Sequence, residues 1–169
     1  MSSFPTGVAV VTSLDTAGEP QGMTCTSLLS VTLRPPTLLV SLRHGSATLA
    51  AVIARGVFSV NLLHAGAREI AELFSRPVES RFSRVSWRLS AHGAPWLVDA
   101  ALGVADCSVV GATDVRDHRL VFGEVRHVSV CESDALLYGR RRFGSWAVPA
   151  PDVGGRSTSG TGSAGTSPR

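Results

Sequence analysis

The sequence contains no lysine. All 16 of its Lys/Arg residues are arginines, and they leave a formal net charge of only +3. Apart from Arg140, Arg141 and Arg142 they are scattered, and aromatic residues make up just 6% of the chain. Nucleic-acid binding asks for a continuous basic stripe with aromatics to stack on, so that class is set aside. Cysteine is scarce as well. Cys25, Cys107 and Cys131 lie far apart with no C-x-x-C, which supports neither a disulfide framework nor a zinc site and predicts free, buried thiols. No metal is expected: His64, His92 and His127 lack ligand-like spacing to acidic or cysteine partners. No apolar run reaches the roughly 20 residues of a membrane span, and "MSSFPTGVAVV" lacks the basic start of a signal peptide. The expectation is a cytoplasmic protein without membrane contact. G-x-G-x-x-G, P-loop and G-x-S-x-G patterns are missing too, so any nucleotide site must be of a non-Rossmann kind.

What is present fits one domain of 169 residues, 44% of them hydrophobic. Gly, Ser, Thr and Pro take over near Pro149, so residues 1–148 are expected to fold and residues 149–169 to form a disordered tail. Strand signals dominate the folded part. "GVAVVTS", "TLLVSL", "VFSVNLL", "LGVADCSVVGATDV" and "HRLVFGEVRHVSVC" are strands, and "MTCTSLLSVTL" is one or two strands with a break near Ser27. Short spacing and turn clusters such as "LDTAGEPQG" point to a mainly β, antiparallel barrel. Two short helices interrupt it. "SATLAAVIARG" has Ser46 as N-cap and Gly56 as stop, and "GAREIAELFSRP" has Ile70, Leu73 and Phe74 on one face.

Within "GMTCTSLLSVTLRPPTLLVSL", hydroxyls crowd the first half where a buried strand would carry Val and Ile. Thr24 to Ser27 supply small polar side chains along an edge that a flat hydrogen-bonding ring could approach. Further on, Arg43, Ser46 and Thr48 gather at a helix start, where free N–H groups, the helix dipole and a guanidinium favour an anion. Each feature alone has a plainer account: strand filler, or an N-cap.

The order of these features carries a resemblance. "FPTGVAVVTSLDTAGEPQGMTCTSLLSVTLRPPTLLVSLRHGSATLAAV", then "VFSVNLL", "AELFSRPVESRFS", "ADCSVVGATDVRDHRLVFGEVRHV" and "LLYGRRRFGSW", resembles the flavin reductase domain of two-component flavin-dependent monooxygenases. These are NAD(P)H:flavin oxidoreductases with the FMN-binding split β-barrel, a Greek-key-like antiparallel fold with short flanking helices. The likeness runs from Phe4 to about Trp146. Relatives carry a helix before "FPTGV", and this sequence starts almost on that motif.

The resemblance implies an enzyme that passes hydride from NADH or NADPH to FMN or FAD and hands reduced flavin to a partner monooxygenase. It implies a homodimer with the flavin site at or across the subunit interface. Thr24, Cys25, Thr26 and Ser27 would hydrogen-bond the ring, Ser41, Leu42 and Arg43 would flank it, and Ser46 and Thr48 would hold the phosphate. Arg81 and Phe82 match a basic–aromatic pair near the flavin. His118 matches part of a Gly-Asp-His motif for the nicotinamide nucleotide, with Arg116 in place of the glycine, and Arg140 and Arg142 are further nucleotide contacts. No side chain is needed as a general acid or base, because the cofactors carry the bond chemistry. Two other readings remain: a split-barrel flavoprotein with tightly held flavin acting on another substrate, and a flavin-binding module without catalysis.

Overall fold

Among the described residues, β-branched runs separated by Gly, Pro and Asp clusters become twelve strands and two α-helices. The computed structural model describes residues 3–146, so the expected tail at residues 149–169 lies outside them. In chain order the elements are β1 (Thr6–Gly7), β2 (Ala9–Leu14), β3 (Pro20–Cys25), β4 (Leu28–Leu33), β5 (Pro36–Arg43), α1 (Ala47–Arg55), β6 (Val57–Leu63) and α2 (Arg68–Phe74). A short 3₁₀ turn at Arg81–Arg84 follows, then β7 (Trp87–Leu89), β8 (Pro95–Leu97), β9 (Ala101–Val115), β10 (His118–Val130), β11 (Leu136–Gly139) and β12 (Arg142–Ser145).

Seven strands form one sheet in the order β3-β2-β6-β9-β10-β5-β4, every pair antiparallel. At about 4.8 Å per strand, β3 and β5 would stand roughly 24 Å apart in a flat sheet. Instead Cys25 Sγ on β3 lies 3.9 Å from the Ser41 carbonyl on β5. The sheet is therefore rolled into a barrel. Its interior is one apolar cluster drawn from six of the strands and α1, including Val11, Cys25, Leu42, Val52, Phe58 and Val121.

Strand β2 is buried along its whole length, and its period-2 alternation shows why. Ala9 and Val11 enter the barrel, whereas Val8 and Val10 enter a second cluster outside it with Ala71, Phe74, Phe82 and Leu136. This outer cluster fixes α2 against β3. Gly22 on β3 makes the approach possible, since a Cβ there would meet the Phe74 and Phe82 rings at 2.9–3.1 Å.

Helix α1 begins and ends as its sequence dictates. Ser46 Oγ accepts from the Leu49 N–H at 3.2 Å, and Gly56 closes the helix at φ 70 with its N–H on the Val52 carbonyl. Leu49 and Val52 are buried by the helix, whereas Ile53 is 39% exposed. Cys131, expected buried, is exposed at the end of β10; Cys25 and Cys107 are buried and all three thiols are free.

Two hairpins carry no strand signal in the sequence. β7 and β8 are three-residue strands, paired Trp87 to Leu97. β11 and β12 are joined through Arg140 and Arg141, at φ 50 and φ 59. Positive φ at both central residues is the demand of a two-residue hairpin turn, normally met by Asn or Gly.

A buried polar network crosses the barrel wall. Thr12 Oγ1 donates to the Pro95 carbonyl (2.5 Å), Asn61 Nδ2 donates to the Val10 carbonyl (3.1 Å), and Asn61 Oδ1 accepts from the Leu97 N–H (2.8 Å). Asp106 Oδ1 accepts from Ser59 Oγ and from Trp96 Nε1, the latter at 2.7 Å. Its Oδ2 is buried without a partner.

Candidate functional site

The break between β3 and β4 opens a path along the barrel wall. Thr26 and Ser27 sit between the two strands. On one side lies a cleft of about 760 Å³, bounded by β3, the loop into α1 and the C-terminal end of α2. On the other lies an apolar hollow of about 590 Å³ between Phe4, Leu28, Leu29, Leu39 and Ser41. Thr26 and Tyr138 line both, which makes them one continuous surface.

Six of the expected residues meet at the cleft: Thr24, Thr26, Arg43, Ser46, Thr48 and Arg81. Two of the hydroxyls are already engaged. Thr24 Oγ1 donates to the Ala71 carbonyl at 2.7 Å, tying α2 to β3. Ser46 Oγ donates to the Arg43 carbonyl (2.9 Å) while capping α1. The donors left for an anion here are the Ala47 and Thr48 N–H groups at the start of α1, since the Leu49 N–H is taken by Ser46 Oγ, and the guanidinium groups. Gly45, at φ 75, has no atom within 4 Å of where a Cβ would stand, so the loop's backbone is open to a ligand.

Three arginines line the cleft: Arg43, Arg76 and Arg81. Among the described residues none of them is in a salt bridge. The cleft's Glu72 is paired with Arg68 at 2.8 Å instead. Burial pulls the Arg81 guanidinium below its usual range, and Arg81 lies 5.7 Å over the Phe74 ring centroid. An apolar slot continuous with a cationic pocket suits a ligand with a flat ring at one end and phosphate at the other.

Ser27 and Ser41 line the apolar hollow, joined by the Ser41 N–H to the Ser27 carbonyl at 3.1 Å. Cys25 and Leu42 do not turn their side chains to either space. Both are buried in the barrel core, because alternation along β5 puts Ser41 outward and Leu42 inward. Only their backbone is available to a ligand, and burial pushes the Cys25 thiol up. Phe82 is 8% exposed in the outer cluster, edge-on to Phe74 at 5.1 Å.

His118 opens β10 directly opposite Arg43 on β5. Its Nδ1 lies 3.0 Å from Asp117 Oδ1, and the His44 N–H donates to the Asp117 carbonyl at 2.9 Å. The β9–β10 turn is thereby tied to the loop that starts α1. Arg116, first residue of that turn, holds φ 51, so the turn keeps a glycine-like conformation without glycine. Arg140 and Arg142 line a further hollow of about 290 Å³ with Ser3 and Pro5, which shares Phe143 with the cleft and Gly139 with the apolar hollow.

Sequence reasoning missed Arg76, and gave Tyr138 and Phe143 no place beside the strand expected to bind the ring. Arg76 follows the last turn of α2 and reads as a surface charge; only the packing of α2 on β3 brings it to the cleft. Tyr138, the single tyrosine, arrives because β11 pairs with β1 at Thr6.

The model of the flavin reductase-like domain matches residues 1–147. A flavin reductase (NADPH) of Lentzea aerocolonigenes is 56% identical over 148 residues, 86% of each chain. A flavin reductase (NADH) of Kitasatospora aureofaciens is 39% identical, over 88% of this chain and 79% of its own. Among solved structures, the styrene monooxygenase flavin reductase of Pseudomonas putida S12 superposes with a TM-score of 0.80 at 29% identity, over 88% of this chain and 95% of its own.

Proposed function

Because the chain belongs to the flavin reductase-like family, an NAD(P)H-dependent flavin oxidoreductase family, we propose that the joined cleft and hollow are its flavin site. The observation that carries this is the continuity at Thr26 and Tyr138 between an apolar slot and an arginine-rich pocket. The ring lies in the hollow against Ser27 and Ser41, and the phosphate lies among Arg43, Arg76 and the first turn of α1. When bound, the flavin supplies the hydride-accepting ring and the nicotinamide nucleotide supplies the hydride.

The protein's own contribution is placement and charge. Thr26 and the neighbouring backbone amides present small donors to the ring edge, and bulky side chains there would fill the slot. Arg43 supplies positive charge beside the pocket, which stabilises negative charge developing on a reduced ring. Holding two reactants in register contributes several kcal/mol on its own, about 7 or more for well-oriented pairs. His118 and Asp117, fixed to the α1 loop, are the nucleotide-facing groups; Arg140 and Arg142 extend that face through the β11–β12 turn.

The fold is the family's split barrel, with residues 1–148 as its single domain. The chain acts as a homodimer, a reading supported by the outward apolar row of the edge strand β4, where Leu29 and Leu33 are 58% and 81% exposed. No helix among the described residues is long and apolar enough to cross a membrane, in keeping with work in the cytoplasm. Reduced flavin passes to a monooxygenase partner, as the name of the Pseudomonas relative implies for that protein.

The deciding assay mixes the protein with NADH or NADPH and with FMN, FAD or riboflavin, and follows absorbance of the reduced nicotinamide. Turnover of free flavin is the expected result. A protein that stays yellow through purification and oxidises no NAD(P)H with added flavin would overturn the reading.

A further inference from the structure

The turn between β9 and β10 carries Asp117 and leads into His118, while the loop before α1 follows Arg43 and carries the anion donors. One backbone hydrogen bond joins them, from the His44 N–H to the Asp117 carbonyl at 2.9 Å. A second link lies behind it, made of side chains. Arg119 is opposite Asp114 on one side and Leu42 on the other, so all three leave one face of the wall, the face on which Leu42 enters the barrel core. The next row along, Val115, His118 and Arg43, leaves the opposite face.

That inner row ends in charge rather than hydrocarbon. Arg119 holds Asp114 through two parallel bonds, Nε to Oδ1 at 2.5 Å and Nη2 to Oδ2 at 2.7 Å, a geometry that fixes the carboxylate's orientation. His44, two residues beyond Leu42, brings Nε2 to 3.2 Å from Asp114 Oδ1. The Arg119 hydrogen bonds, with His44 adding to them, hold the Asp114 carboxyl below its usual range. The turn has need of such support. Arg116 holds φ 51 there, a conformation that disfavours any residue with a side chain. The α1 loop, by contrast, holds itself, since Ser46 Oγ and Ser46 N–H both donate to the Arg43 carbonyl, at 2.9 and 3.3 Å. Without Asp114 it is the turn, and His118 with it, that would shift.

We propose that Asp114 is a positioning residue for the reductase reaction: through Arg119 and His44 it sets His118 against the anion-binding loop, and so sets one substrate against the other. Asp114 lines neither the cleft nor the apolar hollow, so it acts through the turn rather than on a substrate. The proposal rests on the flavin and nucleotide reading above.

Steady-state kinetics of the full chain with NADH or NADPH and free flavin, each varied in turn, tests it. Asp114→Asn should raise KM for the nicotinamide nucleotide about fivefold, the scale of an exposed ion pair, and move KM for flavin by less than about twofold. His44→Ala, which leaves the hairpin's own residues intact, should give the same split. His44→Gln, whose amide nitrogen can stand where Nε2 stands, should return the nucleotide KM to the wild-type value. In a His118→Ala background Asp114→Asn should add nothing, because the side chain it places is gone. Additive effects of those two substitutions overturn the proposal. So does a lowered urea midpoint in Asp114→Asn without the KM split, which would make the ion pair a brace for the hairpin alone. If the wild type turns over no free flavin, the flavin reading fails and the positioning role with it; if it does and Asp114→Asn matches it in both KM values, the positioning role alone fails.

Discussion

His118 stands opposite Arg43 in the antiparallel ladder between β5 and β10, so both side chains leave the same face of the barrel wall. Arg43 lines the cleft proposed for flavin, and His118 is anchored beside it by Asp117. Replacing His118 with Ala should raise KM for the nicotinamide nucleotide about tenfold, or about 1.4 kcal/mol of binding, and shift KM for flavin far less. Steady-state kinetics with each substrate varied in turn measures the split. Equal increases for both substrates would remove His118 from nucleotide binding.

Arg116 pays a conformational cost at φ 51. A non-glycine residue in this region loses about 1–2 kcal/mol, and glycine gives back about 0.5–1 kcal/mol through the greater entropy of the unfolded chain. Arg116→Gly should therefore stabilise the protein by up to about 1.5 kcal/mol, read as a higher urea midpoint at unchanged m-value. A lower midpoint would mean that the guanidinium makes a contact worth more than the backbone strain.

The thiols divide by burial. Desolvation, reinforced by the neighbouring Asp106 charge, pushes Cys107 up to about 12. Raised above its unfolded value, it contributes stability that is complete below the ordinary thiol pKa near 9 and is lost as pH climbs towards 12. Unfolding titrations should show that decline at a slope of at most about 1.4 kcal/mol per pH unit for this group, and Cys107→Ala should flatten it. With an aromatic disulfide reagent at neutral pH, exposed Cys131 should react quickly, while Cys25 and Cys107 should wait for unfolding. Rapid modification of all three in the native state would contradict the buried placement.

Much of the barrel was legible because its signals are local. The strand "VFSVNLL" runs from Val57 to Leu63 as read, and Ser46 and Gly56 bracket α1 because capping chemistry is written in single residues. The break before Leu28 was visible in its hydroxyls. The β7–β8 hairpin was not, since three-residue strands have no periodicity and exist through packing of Trp96 and Leu97 on the wall. Arg140 and Arg141 disguise a turn that Asn-Gly would have announced. In the site, the inward turn of the Cys25 and Leu42 side chains, which leaves their backbone to face a ligand, can be counted by alternation along "MTCTS" and "TLLVSLR". Arg76 was out of reach, for its place depends on where α2 settles against β3.

The Asp106 network sets how the staves of the barrel can close. Ser59 faces Asp106 across β6 and β9, and Trp96 arrives from β8 to share the same oxygen. Sliding β6 by one residue along β9 would swap its inward and outward faces and strand an unsolvated carboxylate in hydrocarbon, at a penalty of several kcal/mol. Misaligned closures are thus excluded by a single acid that lines neither the cleft nor the apolar hollow. The spacing of Thr26, Arg43 and Arg81, on which any long ligand depends, is inherited from that lock.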